Sequence, residues 1–247
     1  CLHSEVQRIP YNFDMTSLEE YEPYVTQDMV DRGHARPLDL LEDYFAMLLR
    51  QRMYRNFNMY AELSQTITKA QLSSAFRSML LQYPILACTV IPKKFPNYET
   101  FYNSEEFYNT PYYNRDYVKV SQRIDLHDVL LNEQLEHKEL VEEICAQFIE
   151  DNYEYTGKTV ELLGAISFSK FDGRRPNWRV LCLPSPGEKG TEVFSKLVYI
   201  SNHCLSDGIS GVNFFKDLTR FLTEKESLSQ GHNDDYNIID YLEDQDN

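Results

Sequence analysis

The sequence predicts an α/β protein of the α+β type, a mixed sheet with flanking helices, and three observations lead there. Leu38 to Arg52 and His137 to Asn152 carry apolar residues at helical spacing. Three extended apolar runs follow one another late in the chain, at Thr159 to Phe171, Trp178 to Leu183 and Thr191 to His203. No internal repeat points to a solenoid or propeller.

The elements follow in order. Ser17 to Glu20 reads as the cap of a short helix broken by Pro23, and Tyr24 to Arg32 as a second helical turn. After Gly33 and Pro37, the helix from Leu38 places Leu41, Tyr44, Phe45, Leu48 and Leu49 on its apolar positions. Asn58 to Leu63 is extended. Thr68 and Gln71 stand three apart at the head of the next helix, the spacing at which each side chain satisfies the other's free amide, and Pro84 closes that helix. Ile85 to Ile91 reads as a buried strand, Pro92 to Tyr117 as tyrosine-rich and irregular, and Tyr117 to Ser121 as a strand. The helix from His137 aligns Leu140, Val141, Ile144, Cys145, Phe148 and Ile149. The last two extended runs form a hairpin across Pro184 to Gly190. A helix then runs from Ile209 to Leu222, with Val212, Phe215 and Leu218 between.

The chain divides into an N-terminal tail at 1–16, a folded domain at 17–223 and an acidic tail or linker at 224–247. That last stretch holds eight acids against Lys225. With 247 residues and 42% apolar side chains, a sizeable core is within reach. The net charge of -15 lacks the basic face that phosphate backbones require, so nucleic acid is not an expected partner. Five cysteines, odd in number and with no close pair, fit a reduced compartment on the cytosolic side. No run of about 18 apolar residues is present. No pair of histidines has zinc-ligand spacing, and no metal is expected.

Chemistry concentrates in Ser201-Asn202-His203-Cys204-Leu205-Ser206-Asp207-Gly208, a histidine at the end of an apolar strand followed by Asp-Gly at the start of a helix. Six histidines and 17 aspartates in 247 positions give about 0.4 chance matches to His with Asp four residues on, and requiring Gly next lowers this to roughly 0.015. An imidazole titrates near neutrality, so His203 is the candidate general base, able to take the proton of an attacking hydroxyl. Cys204 is a weaker candidate nucleophile, because adjacent strand residues face opposite ways and its thiol is expected in the core. Asp207 reads as the residue that holds the loop, and Gly208 as the source of backbone freedom in its turn. His34 reads as a helix-entry residue rather than a second base, and Trp178 as a core aromatic between solvated arginines. Gly208 to Gly211 lacks the spacing of a serine-hydrolase elbow.

Four segments carry a resemblance: Asp31 to Arg36, Arg50 to Phe57, Arg175 to Pro184, and Ser201 to Gly208 with Asn213 to Leu218. In order and spacing they resemble the fungal alcohol O-acetyltransferases of the CoA-dependent acyltransferase superfamily, from about Glu20 to about Asp240. The resemblance implies the N-terminal domain of the chloramphenicol acetyltransferase-like fold. It implies acetyl-CoA as co-substrate, direct acetyl transfer to a short or branched alcohol or a sterol, His203 as base and Asp207 paired with an arginine. Arg36, Arg175 and Arg179 are the candidates for that arginine. Members are about twice this length and close their tunnel with a second, similar domain. The resemblance therefore covers the N-terminal half, and a C-terminal acyltransferase domain supplied by another chain or missing is an expected partner. It also implies peripheral attachment to endoplasmic reticulum or lipid droplets. Two other functions fit the sequence: a half-domain acting as an interaction module without catalysis, and an N-acetyltransferase of the same superfamily.

Overall fold

The computed structural model describes residues 25, 27–50, 53–92, 116–121, 123–166, 175–187, 193–225 and 237–240. The architecture is mixed α/β. Instead of one mixed sheet, the described residues form two antiparallel three-stranded sheets and an antiparallel pair, and an isolated parallel bridge ties Leu130 to Val180.

The larger sheet holds β2 (Phe57–Thr68), β7 (Val193–Ser201) and β6 (Trp178–Leu183), with β7 in the middle. The hairpin of β6 and β7 forms as the alternation predicts, with Trp178 opposite Ser201 and Leu183 opposite Lys196. β2 pairs with the other edge of β7, Phe57 standing opposite Ser201. Period-two alternation sends the side chains of this sheet into two cores. Val180, Cys182, Leu197 and Tyr199 pack with Leu72, Phe76 and Met79 of α3 (Lys69–Gln82) and with Phe214, Phe215 and Leu218 of the long helix Gly208–Lys225. Leu181, Leu183, Val198 and Ile200 face the opposite layer, where Val141, Ile144 and Phe148 of the helix Lys138–Glu150 and Leu163 of Gly157–Leu163 cover them. Every residue of β6 is buried because both faces are covered.

The smaller sheet orders β1 (Ala35–Pro37), β4 (Asp116–Val120) and β3 (Cys88–Pro92), with α1 (Gln27–Asp31) ahead of β1 and α2 (Leu40–Arg50) after it. Its apolar face meets α2 in a third core of Leu38, Ala46, Leu49, Cys88, Val90, Val118 and Cys204. The head of α2 is fixed by Asp39, whose Oδ1 accepts from the amides of Leu41 and Glu42, and by Glu42, whose Oε2 accepts from the Asp39 amide. Arg36 clamps Glu42 with two bonds of 2.7 and 2.6 Å. At α3 the expected capping box of Thr68 and Gln71 is present.

In chain order the remaining elements are β5 (Arg123–Asp125), α4 (Leu126–Val129), α5 (Lys138–Glu150), α6 (Gly157–Leu163), α7 (Gly208–Lys225) and β8 (Asn237–Asp240). Three expectations are corrected. Thr159 opens no strand, because Thr159, Leu163 and Ile166 are all buried at intervals of four and three residues and their run begins as α6. The stretch from Ile85 starts as a 3-10 turn, Pro84–Ala87, before β3. Within the acidic stretch, α7 continues to Lys225 and β8 pairs antiparallel with β5, so part of it is sheet rather than solvated tail. The cap expected at Ser17 to Glu20 and most of the irregular run from Pro92 lie outside the described residues.

Candidate active site

β7 ends at Ser201 where two of the cores meet, and the next six residues lead into α7. Asn202 is 1% exposed, and its side-chain oxygen accepts the Cys204 amide at 3.1 Å, which turns the chain sharply after the strand. Ser201 anchors the turn from below, its hydroxyl donating to the Asn177 carbonyl at 2.9 Å. Tyr199, buried beneath the loop, bonds the Ser206 hydroxyl at 3.1 Å. Burial pushes the Tyr199 phenol upward, so it stays neutral and able to donate.

The turn leaves His203 half-buried at the mouth of the loop. Three rings surround its imidazole: Phe45 from α2 is stacked at 5.1 Å, Tyr54 stands edge-on at 5.1 Å, and Phe57 from β2 is tilted at 4.7 Å. Among the described residues the ring makes no hydrogen bond. Cys204 turns inward to Leu38, Ala46, Leu49 and Val118, away from the mouth.

Asp207 caps α7. Its backbone carbonyl accepts the Gly211 amide at 3.0 Å, and its Oδ1 accepts both the Ser210 amide and the Ser210 hydroxyl at 2.7 Å. These bonds, backbone first, hold its carboxyl below the usual range, with a smaller push from nearby His203. No arginine holds Asp207 among the described residues. Arg36 is on Glu42, Arg175 is on Glu136 and Asp128, and Arg179 donates to the carbonyls of Pro176 and Trp178. Gly208 opens α7; the glycines with left-handed φ among the described residues are Gly33 and Gly187, so the loop does not draw on such freedom at Gly208. The glycine that matters for packing is Gly211, where a Cβ would stand 3.1 Å from Met59 and 3.6 Å from Phe57.

His34 sits past the end of α1, its amide on the Met29 carbonyl and its carbonyl on the Val120 amide, so it leaves a helix rather than entering one. Trp178 is in the core as expected, 3% exposed and donating to the Leu86 carbonyl at 2.7 Å. Asp125, His127 and Asp128 bring their ligand atoms within 4.8 Å of one another, a proximity the sequence did not suggest. The Arg175 guanidinium is already 3.4 Å from Asp128 Oδ1, and a cation there would compete with it. No helix among the described residues is long and apolar enough to cross a membrane.

A mixed α/β chain that presents a histidine between a central strand and a capped helix is the class defined so far. The chain belongs to the alcohol acetyltransferase family, whose profile matches residues 38–247. It is 41% identical over 231 residues to Alcohol O-acetyltransferase 2 of Saccharomyces cerevisiae, covering 92% of this chain and 43% of that protein. It is 40% identical over 192 residues to Alcohol O-acetyltransferase 1 of the same yeast, covering 78% of this chain and 36% of the relative. The chain thus spans less than half the length of these curated relatives.

Proposed function

We propose that this chain provides the base-bearing part of an alcohol O-acetyltransferase that moves acetyl from acetyl-CoA to a short or branched alcohol or a sterol. The observation that carries the reading is His203, half-buried just past β7 with an imidazole that makes no hydrogen bond among the described residues, in a family named for acetyl transfer to alcohols. His203 takes the hydroxyl proton as the oxygen attacks the thioester carbonyl. The tetrahedral intermediate then expels the CoA thiolate, and the imidazolium returns the proton to sulfur. Transfer is direct, without an acyl-enzyme, since the Cys204 thiol lies in the core. Asp207 works by shaping the loop through its cap on α7. The fold is that of the N-terminal domain of chloramphenicol acetyltransferase-like enzymes, completed by a C-terminal acyltransferase domain. Peripheral attachment to endoplasmic reticulum or lipid droplets belongs to the same reading.

A second reading, an interaction module, draws on the apolar residues left exposed near the loop: Leu40 at 67% and Leu41 at 64% on α2, and Ile209 at 72% on α7. One experiment separates the two. Release of free CoA thiol from acetyl-CoA is followed with isoamyl alcohol or a sterol as acceptor, in the wild type and in His203→Ala. Acceptor-dependent release that the substitution abolishes is the expected result. Release unchanged in His203→Ala would remove the base assignment, and no release from folded protein with the C-terminal acyltransferase domain present would favour the module.

A further inference from the structure

We infer that Phe45, Tyr54 and Phe57 are positioning residues that set the orientation of the His203 imidazole in place of a carboxylate. The inference rests on the reading of His203 as the base. An imidazole attached through two rotatable bonds needs something to fix its plane, and general-base geometry is sensitive to that plane. A carboxylate bonded to one ring nitrogen is the usual solution. Here Asp207 is the nearby carboxylate; its Oδ1 accepts from the amide and hydroxyl of Ser210 at 2.7 Å each, and among the described residues no hydrogen bond joins it to the His203 ring.

The three rings supply the missing constraint. Phe45 lies stacked at 27° to the imidazole, Phe57 tilted at 36° and Tyr54 edge-on at 78°, so the imidazole meets rings in three different orientations. Contact of this kind fixes a plane without consuming a ring nitrogen, leaving the imidazole free to exchange a proton with a substrate. Each ring is held from behind. Phe45 and Tyr54 pack edge to face at 5.7 Å, and the amide of Tyr54 is tied to the Leu48 carbonyl at the end of α2. Phe57 is paired opposite Ser201 and packs on Tyr199 at 6.1 Å, while the bare Gly211 gives it room. The α2 helix that carries Phe45 is locked at its head by Asp39, Glu42 and Arg36. Two elements, α2 and β2, and the connection between them therefore converge on one side chain.

The test uses intact protein labelled at histidine Cε1, with the His203 resonance assigned by its loss in His203→Asn. Ring currents from Phe45 and Phe57 should move that resonance upfield of a free imidazole. Phe45→Leu and Tyr54→Leu should shift it and lower kcat on the order of 10- to 100-fold, leaving KM for acetyl-CoA within about 2-fold. Tyr54→Phe keeps the ring and should behave as wild type. If Phe45→Leu does not fold, the pair at Tyr54 decides alone. Leucine variants with an unmoved resonance or an unchanged kcat overturn the inference, as does a Tyr54→Phe variant as impaired as Tyr54→Leu, which would assign the effect to the hydroxyl. Activity retained in His203→Asn would overturn the base reading together with this one, whereas loss there with active leucine variants overturns this one alone.

Discussion

Asp207 shows how a residue conspicuous in a motif can be occupied in shaping its own loop. Its side chain satisfies two donors at the head of α7, one of them a backbone amide that helix geometry leaves unpaired. Asparagine caps helices as well as aspartate does, while alanine cannot, so Asp207→Ala should lower stability by about 1 kcal/mol and Asp207→Asn by much less. Urea unfolding of the two variants checks this; equal losses would mean that charge, not capping, is what matters. His203 and Asp207 were readable from the sequence because strand, histidine, Asp-Gly and helix are contiguous. The three rings around His203 were not. Phe45, Tyr54 and Phe57 lie some 150 positions away in the chain, and only β2 pairing with β7 and the packing of α2 bring them to the loop. A signal was present, since Tyr54 and Phe57 fall in a segment that carries the family resemblance, but nothing local gave them a role.

Whole elements were legible where one physical cause dominated. The box of Thr68 and Gln71 fixed the start of α3, and two extended apolar runs on either side of Pro184 to Gly190 made the β6 and β7 hairpin plain. The misread element is α6, where β-branched residues suggested a strand although Thr159, Leu163 and Ile166 already stood at helical intervals. The smaller sheet escaped notice because β1 has three residues and pairs with a strand some 80 positions on. The contact between α7 and β2 yields a prediction at this scale. Gly211 is buried inside α7, and the atoms a Cβ would crowd are the tip of the Met59 side chain, which can rotate away. Gly211→Ala should therefore be neutral, or stabilising by up to about 1 kcal/mol through reduced chain entropy. Gly211→Val adds branches that reach toward Phe57 and should destabilise. Thermal midpoints check this: Gly211→Val should fall below the wild type and Gly211→Ala should not.

At the scale of the molecule, charge sets two opposing responses to acid. The chain carries -15 at neutral pH and has a sequence pI near 4.8, so lowering the pH toward that value removes self-repulsion and should raise stability modestly. Specific carboxylates act the other way at lower pH. Asp207, bonded by Ser210, and Asp151, bonded by Thr156, are held below their ordinary range. Glu136 is also lowered, the pull of Arg175 outweighing its partial burial. A carboxyl depressed on folding contributes stability that is fully present above its unfolded pKa and is lost as pH falls through the folded one. Asp128 is raised, mainly by burial, and its protonation in acid relieves a cost instead, partly offsetting the loss. Among the described residues, three depressed carboxyls against one raised predict a urea midpoint that rises slightly from neutral pH to about 5 and then falls below about 4. Moderate salt should flatten the first limb by screening dispersed charge, while the second, which depends on short hydrogen bonds, should persist. Asp207→Asn and Asp151→Asn together should shallow the acid limb, and an unchanged limb would place the acid sensitivity elsewhere.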